Sequence, residues 1–255
     1  MDTAEPTNVP NVESSGASHS TRLPVILAIG LGAGFLSGMF GVGGGILVVP
    51  ALVVLMRFDQ RLANGTSLGA VLPISISSLM TYWSHDNVDW NLAVWLAIGA
   101  LGGAVLGTRL LHVIHHKTLG YLFCSILAVT AIRLFFPVHA DGRAAITWVT
   151  AVLLILVGLT TGTLAGLLGI GGGVVLVPAL VVLFGELPVI AKGTSVAVII
   201  PTSIMGTWRN WLARNIDIRA AVVVGLTGIL SAILGGTIAD RMDQDLSNIL
   251  FASLI

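Results

Sequence analysis

The sequence predicts an all-α polytopic membrane protein built from two inverted-topology repeats, each a glycine-broken helical hairpin followed by transmembrane helices. Composition, a doubled motif and the charge of the connections carry that prediction. The chain is 55% hydrophobic and 9% charged, against roughly 45–50% and 25% in soluble domains. Its twelve acidic residues fall in the N-terminal stretch or in short connections. Residues 24–56, 66–84, 91–108, 144–185 and 220–239 contain no Lys, Arg, Asp or Glu, as the cost of a charge at the bilayer centre requires. The expected surroundings are a lipid bilayer. The formal net charge of zero identifies no partner, and no nucleic acid is expected.

The doubled motif is Gly41-Val42-Gly43-Gly44-Gly45-Ile46-Leu47-Val48-Val49-Pro50-Ala51-Leu52, which returns 128 residues later as Gly169-Ile170-Gly171-Gly172-Gly173-Val174-Val175-Leu176-Val177-Pro178-Ala179-Leu180. The same offset relates Gly65-Thr66-Ser67 to Gly193-Thr194-Ser195, Pro73 to Pro201, Trp83 to Trp211, and Asn87-Val88-Asp89 to Asn215-Ile216-Asp217. Repeats of this length are too long for solenoid units and have the size of the halves of secondary transporters.

Residues 1–22, rich in Ser, Thr, Pro and Asn, read as a disordered tail without the basic and apolar regions of a signal peptide. The first repeat is expected over 23–137 and the second over 138–255. Spans of about 20 apolar residues are expected at 66–84, 91–111, 119–136, 194–212 and 219–239. Residues 24–56 and 145–184 are too long for one span, and their glycine clusters disfavour helix by about 1 kcal/mol per Gly relative to Ala. Each is expected to be a helical hairpin or re-entrant pair. A last segment from about 248 would stop at Ile255, too short to cross, so the last span is expected to be short or truncated.

Loop charge sets the orientation. Arg57 and Arg61 in 57–65, and Arg109 and Lys117 in 109–118, mark those connections as cytoplasmic, whereas 85–90 has no Lys or Arg. In the second repeat the bias flips, with Arg209, Arg214 and Arg219 around 209–219. Equivalent loops then face opposite sides, the pattern of inverted repeats. Arg133 and Arg143, near the external connector, run against it.

Polar groups present in both copies are the candidate site. Each Gly-Thr-Ser is expected to open an apolar helix after a short polar turn, where unpaired N–H groups and the positive dipole end favour an anion. The residue before each is Asn64 in the first copy and Lys192 in the second. The candidate binding set is therefore Asn64, Gly65, Thr66, Ser67, Lys192, Gly193, Thr194 and Ser195, with Asn64 and Lys192 meeting near the pseudo-two-fold axis. The bland alternative is that Thr and Ser cap helices while Lys192 reaches the interface.

Gly43, Gly44, Gly45, Gly171, Gly172 and Gly173 are candidate pore or hinge positions, offering an anion-binding nest or close helix packing. Pro50, Pro73, Pro178 and Pro201 join them; Pro73 and Pro201 fall mid-segment beside Ser75, Thr202 and Ser203, where a kink frees carbonyls. No Gly-Lys-Ser/Thr follows either cluster, so they are not phosphate-binding loops. Tyr82-Trp83 and Trp208 to Trp211 read as aromatic anchors at segment ends. His112, His115 and His116 have metal-ligand spacing without a carboxylate or cysteine, so no metal or other cofactor is expected. Cys124 reads as packing.

Over about residues 24–250, the doubled glycine and Val-Pro motif, followed by Gly-Thr-Ser at the same spacing in both halves, resembles the TauE/SafE sulfite exporter family. The resemblance implies a multi-pass carrier of the bacterial inner membrane, moving sulfite, sulfonates or related sulfur-containing anions along a path lined by the doubled motifs. The expected function is export of a small sulfur oxyanion by alternating access. Alternatives are an uptake permease for an organosulfonate, which needs a roomier aromatic pocket, an anion channel, and an intramembrane enzyme. The last lacks a buried His or acid beside its Ser and Thr residues, so catalysis is not expected. Gly99, Gly103 and Gly107 at four-residue spacing permit contact within a protomer or in a homo-oligomer.

Overall fold

The computed structural model describes residues 17–110 and 147–242, with single positions 121, 125 and 250. Apart from positions 121 and 125, the expected span at 119–136 lies outside the described residues. So do His112, His115, His116, Cys124, Arg133, Arg143 and, apart from position 250, the last segment. Eight helices are described: α1 (Ala17–Phe40), α2 (Gly45–Val54), α3 (Gln60–Ser84), α4 (Trp90–Leu110), α5 (Trp148–Leu168), α6 (Gly173–Phe184), α7 (Pro188–Leu212) and α8 (Ile218–Arg241). Among the described residues there is no strand. Six helices, all but α2 and α6, are long and apolar enough to cross a membrane.

The glycine clusters break the two long apolar runs because their backbone turns left-handed. Gly41, Gly43 and Gly44 have φ of 69°, 76° and 74°, and Gly169, Gly171 and Gly172 have 72°, 78° and 82°. Side chains with a Cβ adopt this region at a cost of about 1–2 kcal/mol per residue. The chain leaves α1, turns through the cluster and starts again as α2; α5 and α6 repeat the arrangement.

Three boundaries differ from expectation. α1 begins at Ala17, six residues inside the expected tail, since extending a formed helix is cheap compared with nucleating one. α3 begins at Gln60 after Asp59, whose side chain accepts the Arg61 amide at 3.1 Å. α7 begins at Pro188, a first-turn proline. Gly65-Thr66-Ser67 and Gly193-Thr194-Ser195 therefore lie in the second turn of their helices, where their amides belong to the helical ladder. The polar residues before them are helix, not turn.

Packing follows the offset. On α1, a Cβ at Gly30, Gly34 or Gly38 would strike the carbonyls of Val224, Gly228 and Ala232 on α8. On α5, Gly158, Gly162 and Gly166 stand in the same way against Leu96, Ala100 and Ala104 of α4. Both registers advance together, so α1 runs parallel to α8 and α5 to α4. Missing side chains let these backbones touch, which is how helices associate where lipid supplies no hydrophobic drive.

Each repeat thus gives its last described helix to the first helix of the other. One apolar core joins α1, α2, α3 and α8 and takes in Leu167, Leu168, Ile170 and Val174 around the second break, and a second joins α4, α5, α6 and α7. The two meet along α3 and α7, which run antiparallel: Gly65 lies beside Asn210, Leu68 beside Gly206, and Tyr82 beside Gly193. Ala70 and Thr81 of α3 stand against Gly225 and Gly236 of α8, so α3 and α8 are parallel. α4 is parallel to α7, with Asp89 just before α4 bonded to Thr194 and Thr108 bonded to Arg209. Hence α1, α3 and α8 point one way, and their sequence equivalents α5, α7 and α4 point the other.

Candidate functional site

The two glycine breaks meet at the centre of the molecule. A Cβ at Gly45 would come within 2.5 Å of Ile170 Cα, and one at Gly173 within 2.7 Å of Val42 Cα. The starts of α2 and α6 are therefore brought together, and residues 41–46 and 169–174 are buried. Neither start carries a side-chain cap; Gly44 and Gly172 hold the cap positions in left-handed conformation. The first helical bonds are Leu47 N and Val48 N to Gly44 O, and Val175 N and Leu176 N to Gly172 O. Ahead of them, each break turns its first amides and a positive dipole end into the same small volume. That combination favours an anion.

Val71 of α3 and Ile199 of α7 close this volume. Glycines 43 and 171 both face these two side chains, at 3.1–3.4 Å from an added Cβ to the nearest atom. Both side chains are fully buried, leaving an apolar plug where the breaks converge.

Asn64 and Lys192 do not meet. Gly169 packs on the backbone of Asn64 and Gly41 on that of Lys192, so each faces the break of the other repeat. The antiparallel register separates the two motifs, because the stretch of α3 from Gly65 to Tyr82, which faces Gly193, spans about 25 Å. Both residues are buried, Lys192 at 5% exposure.

The Gly-Thr-Ser motifs act as docking notches. A Cβ at Gly65 would strike the Asn215 carbonyl, and one at Gly193 the Asn87 carbonyl. Thr66 Oγ1 accepts the Asp217 amide and Thr194 Oγ1 the Asp89 amide, each at 2.9 Å. Asp217 and Asp89 in turn cap α8 and α4 through the Ala220 and Leu92 amides at 3.1 Å. The repeated Asn-Val-Asp and Asn-Ile-Asp turns therefore seat on the repeated Gly-Thr-Ser notches.

Asn64 and Ser67 serve the second break. Asn64 Nδ2 donates to Leu167 O at 2.6 Å and Ser67 Oγ to Gly169 O at 2.8 Å, satisfying carbonyls at the end of α5. Ser195, the equivalent of Ser67, is fully buried and its Oγ has no partner. The two halves are thus unequal in their polar groups as well as in Asn64 against Lys192.

Several residues take places other than those the sequence suggests. Tyr82 is not an interfacial anchor: it is 2% exposed and donates to Gly38 O at 2.7 Å. Its neighbour Trp83 and Trp208 and Trp211 are exposed. Ser78 pairs with Ser37 at 3.2 Å. Four-residue spacing from Ser67 through Val71 to Ser75, with Ser78 and Tyr82 beyond, was the available signal, since one face of α3 carries them all. Glu186, placed by sequence in a connection, is fully buried with Oε1 accepting the Leu187 amide at 3.1 Å. α3 and α7 run unbroken through Pro73 and Pro201.

A cavity of about 550 Å³ lies away from the breaks, between α3, α7 and α8. Pro73, Thr207, Trp208, Trp211, Ile218 and Leu226 are among its walls, which are almost wholly apolar.

Residues 154–255 match the sulfite exporter TauE/SafE family. Similarity to probable membrane transporters extends over both repeats: the chain is 28% identical over 250 residues to a probable membrane transporter protein of Methanocaldococcus jannaschii, covering 91% of this chain and 92% of that one. It is 25% identical over 242 residues to the probable membrane transporter protein YunE of Bacillus subtilis, covering 86% and 89%. A probable membrane transporter protein of Xylella fastidiosa is 39% identical over 95 residues, 36% of each chain. No solved structure matches. Its six helices long and apolar enough to cross a membrane, together with this similarity to membrane transporters, mark the chain as a multi-pass membrane protein.

Proposed function

We propose that the protein is a secondary carrier exporting sulfite or a related small sulfur-containing oxyanion across the bacterial inner membrane by alternating access. One observation carries this reading: the uncapped starts of α2 and α6 meet between two bundles at the crossing of α3 and α7. An anion there neutralises two dipole ends and receives first-turn amides, which a helix start leaves without an intrahelical acceptor. The opposed directions of equivalent helices support an inverted topology, in which rocking of one bundle against the other opens the breaks to each side in turn.

In this reading Lys192 and Ser195 supply charge and a hydroxyl on the side of the first break. Asn64, Gly65, Thr66, Ser67, Gly193 and Thr194 hold the breaks in register. Val71 and Ile199 separate the two access routes. Purified protein in liposomes should give sulfite flux that saturates and shows counterflow; flux that rises linearly with concentration and shows no counterflow marks a channel and overturns the carrier.

A second reading, uptake of an organosulfonate, is favoured by the cavity containing Trp208 and Trp211. It requires benzenesulfonate flux that is lost in Trp208→Ala.

A further inference from the structure

Most buried hydroxyls in these helices have a partner. Thr108, Thr161, Thr202 and Ser231 each donate to a carbonyl three or four residues earlier, at 2.8–3.2 Å, and Ser67 and Ser77 donate to carbonyls of other segments. Ser75 and Ser203 do not. Both are fully buried, and neither Oγ has a partner. They are equivalents at the 128-residue offset, so the same omission occurs twice.

Their position is central. Each lies four residues beyond Val71 or Ile199, on the helix face that abuts both breaks. The antiparallel register that sets Leu68 beside Gly206 and Tyr82 beside Gly193 continues to place Pro73 and Ile74 opposite Pro201 and Thr202. Ser75 and Ser203 therefore flank the crossing of α3 and α7 from opposite sides. An unsatisfied buried hydroxyl costs about 1–3 kcal/mol, and natural sequences keep such a group where something else needs it.

We propose that Ser75 and Ser203 form an axial station for the transported anion, donating one hydroxyl each to its oxygens between the levels of Val71 and Ile199. This rests on the anion-carrier reading above. Anion oxygens accept but do not donate, which matches two O–H groups lacking acceptors. The pair extends the path from the glycine amides along the pseudo-two-fold axis, and Ser195, equally unpartnered, lies one turn before Ile199 on the same face of α7.

The test compares the double variant Ser75→Ala/Ser203→Ala with the wild type and with Thr202→Val, which removes a neighbouring hydroxyl already bonded to Val198 O and Ile199 O. Sulfite, sulfate and methanesulfonate fluxes are measured in liposomes, and melting in detergent. The expected double variant melts at or above the wild-type temperature yet loses at least tenfold in flux of the transported anion, whereas Thr202→Val keeps its flux. Wild-type flux with an unchanged double variant overturns the station and leaves the carrier standing. A double variant that melts well below wild type overturns the premise that these hydroxyls are unpaired. No wild-type flux of any of the three anions overturns the carrier reading and the station with it.

Discussion

Thr66 Oγ1 accepts the Asp217 amide at 2.9 Å across 151 residues of sequence, and Thr194 Oγ1 accepts the Asp89 amide at the same distance across 105. Each bond fastens the turn before α4 or α8 to the central helix of the other repeat. The exchange of α4 and α8 between bundles is held at these two points. Thr66→Val and Thr194→Val each leave a cap-residue amide without its acceptor, and each should lower stability by about 1–3 kcal/mol. Melting of the two variants in detergent should give similar losses, and the double variant a roughly additive one, since the bonds share no partner. A loss confined to one site would mean that the two turns do not carry equivalent load.

The small-residue contacts predict a second class of effect. In Gly34→Leu the new side chain meets the Gly228 carbonyl and Ser231 Oγ; in Gly162→Leu it meets the Ala100 carbonyl. Backbone cannot retreat as a side-chain tip can, so overpacking costs at least about 1–3 kcal/mol at each position. Both variants should elute as aggregates or melt well below wild type. Gly32→Ala, whose Cβ meets only the ends of Leu47 at 3.4 Å or more, should melt close to wild type.

Asn64 and Lys192 should separate stability from binding. Asn64→Ala abandons the Leu167 carbonyl, bonded at 2.6 Å, and should lower the melting temperature. Lys192→Ala should leave the extracted protein folded while sulfite affinity falls at least tenfold, because a nearby cation favours a bound anion. Isothermal titration on the two variants reads this directly. Unchanged affinity in Lys192→Ala would remove Lys192 from the site.

Much of the fold was legible in the sequence because a membrane and a duplication simplify the problem. Charge-free stretches marked the helices, and Gly41–Gly45 and Gly169–Gly173 marked the breaks, since few other residues hold φ near 75°. The helix starts were misplaced for one reason. Gln60, Arg61 and Asn64 are polar and read as loop, yet the Asp59 cap and, in the other repeat, Pro188 begin the helix earlier. That error moved Gly-Thr-Ser to helix starts it does not occupy.

The site was less legible because its residues share no local signal. Pairing of Asn64 with Lys192 was a reasonable use of symmetry, but it needed the crossing of α3 and α7, which no spacing reveals. Ser75 and Ser203 stand beside Pro73 and Pro201 in sequence, and only the hydrogen-bond pattern distinguishes them from Thr202. Tyr82 looked like a belt residue from its place near a segment end, whereas its burial depends on Gly38 of another helix.

Selenite, a heavier relative of sulfite, offers the most direct measurement. Crystals grown with selenite should show an anomalous selenium peak between Gly43–Gly45 and Gly171–Gly173, weakened in Lys192→Ala. A peak in the cavity beside Trp208 and Trp211, with none at the glycine breaks, would contradict the placement of the anion at the facing helix starts.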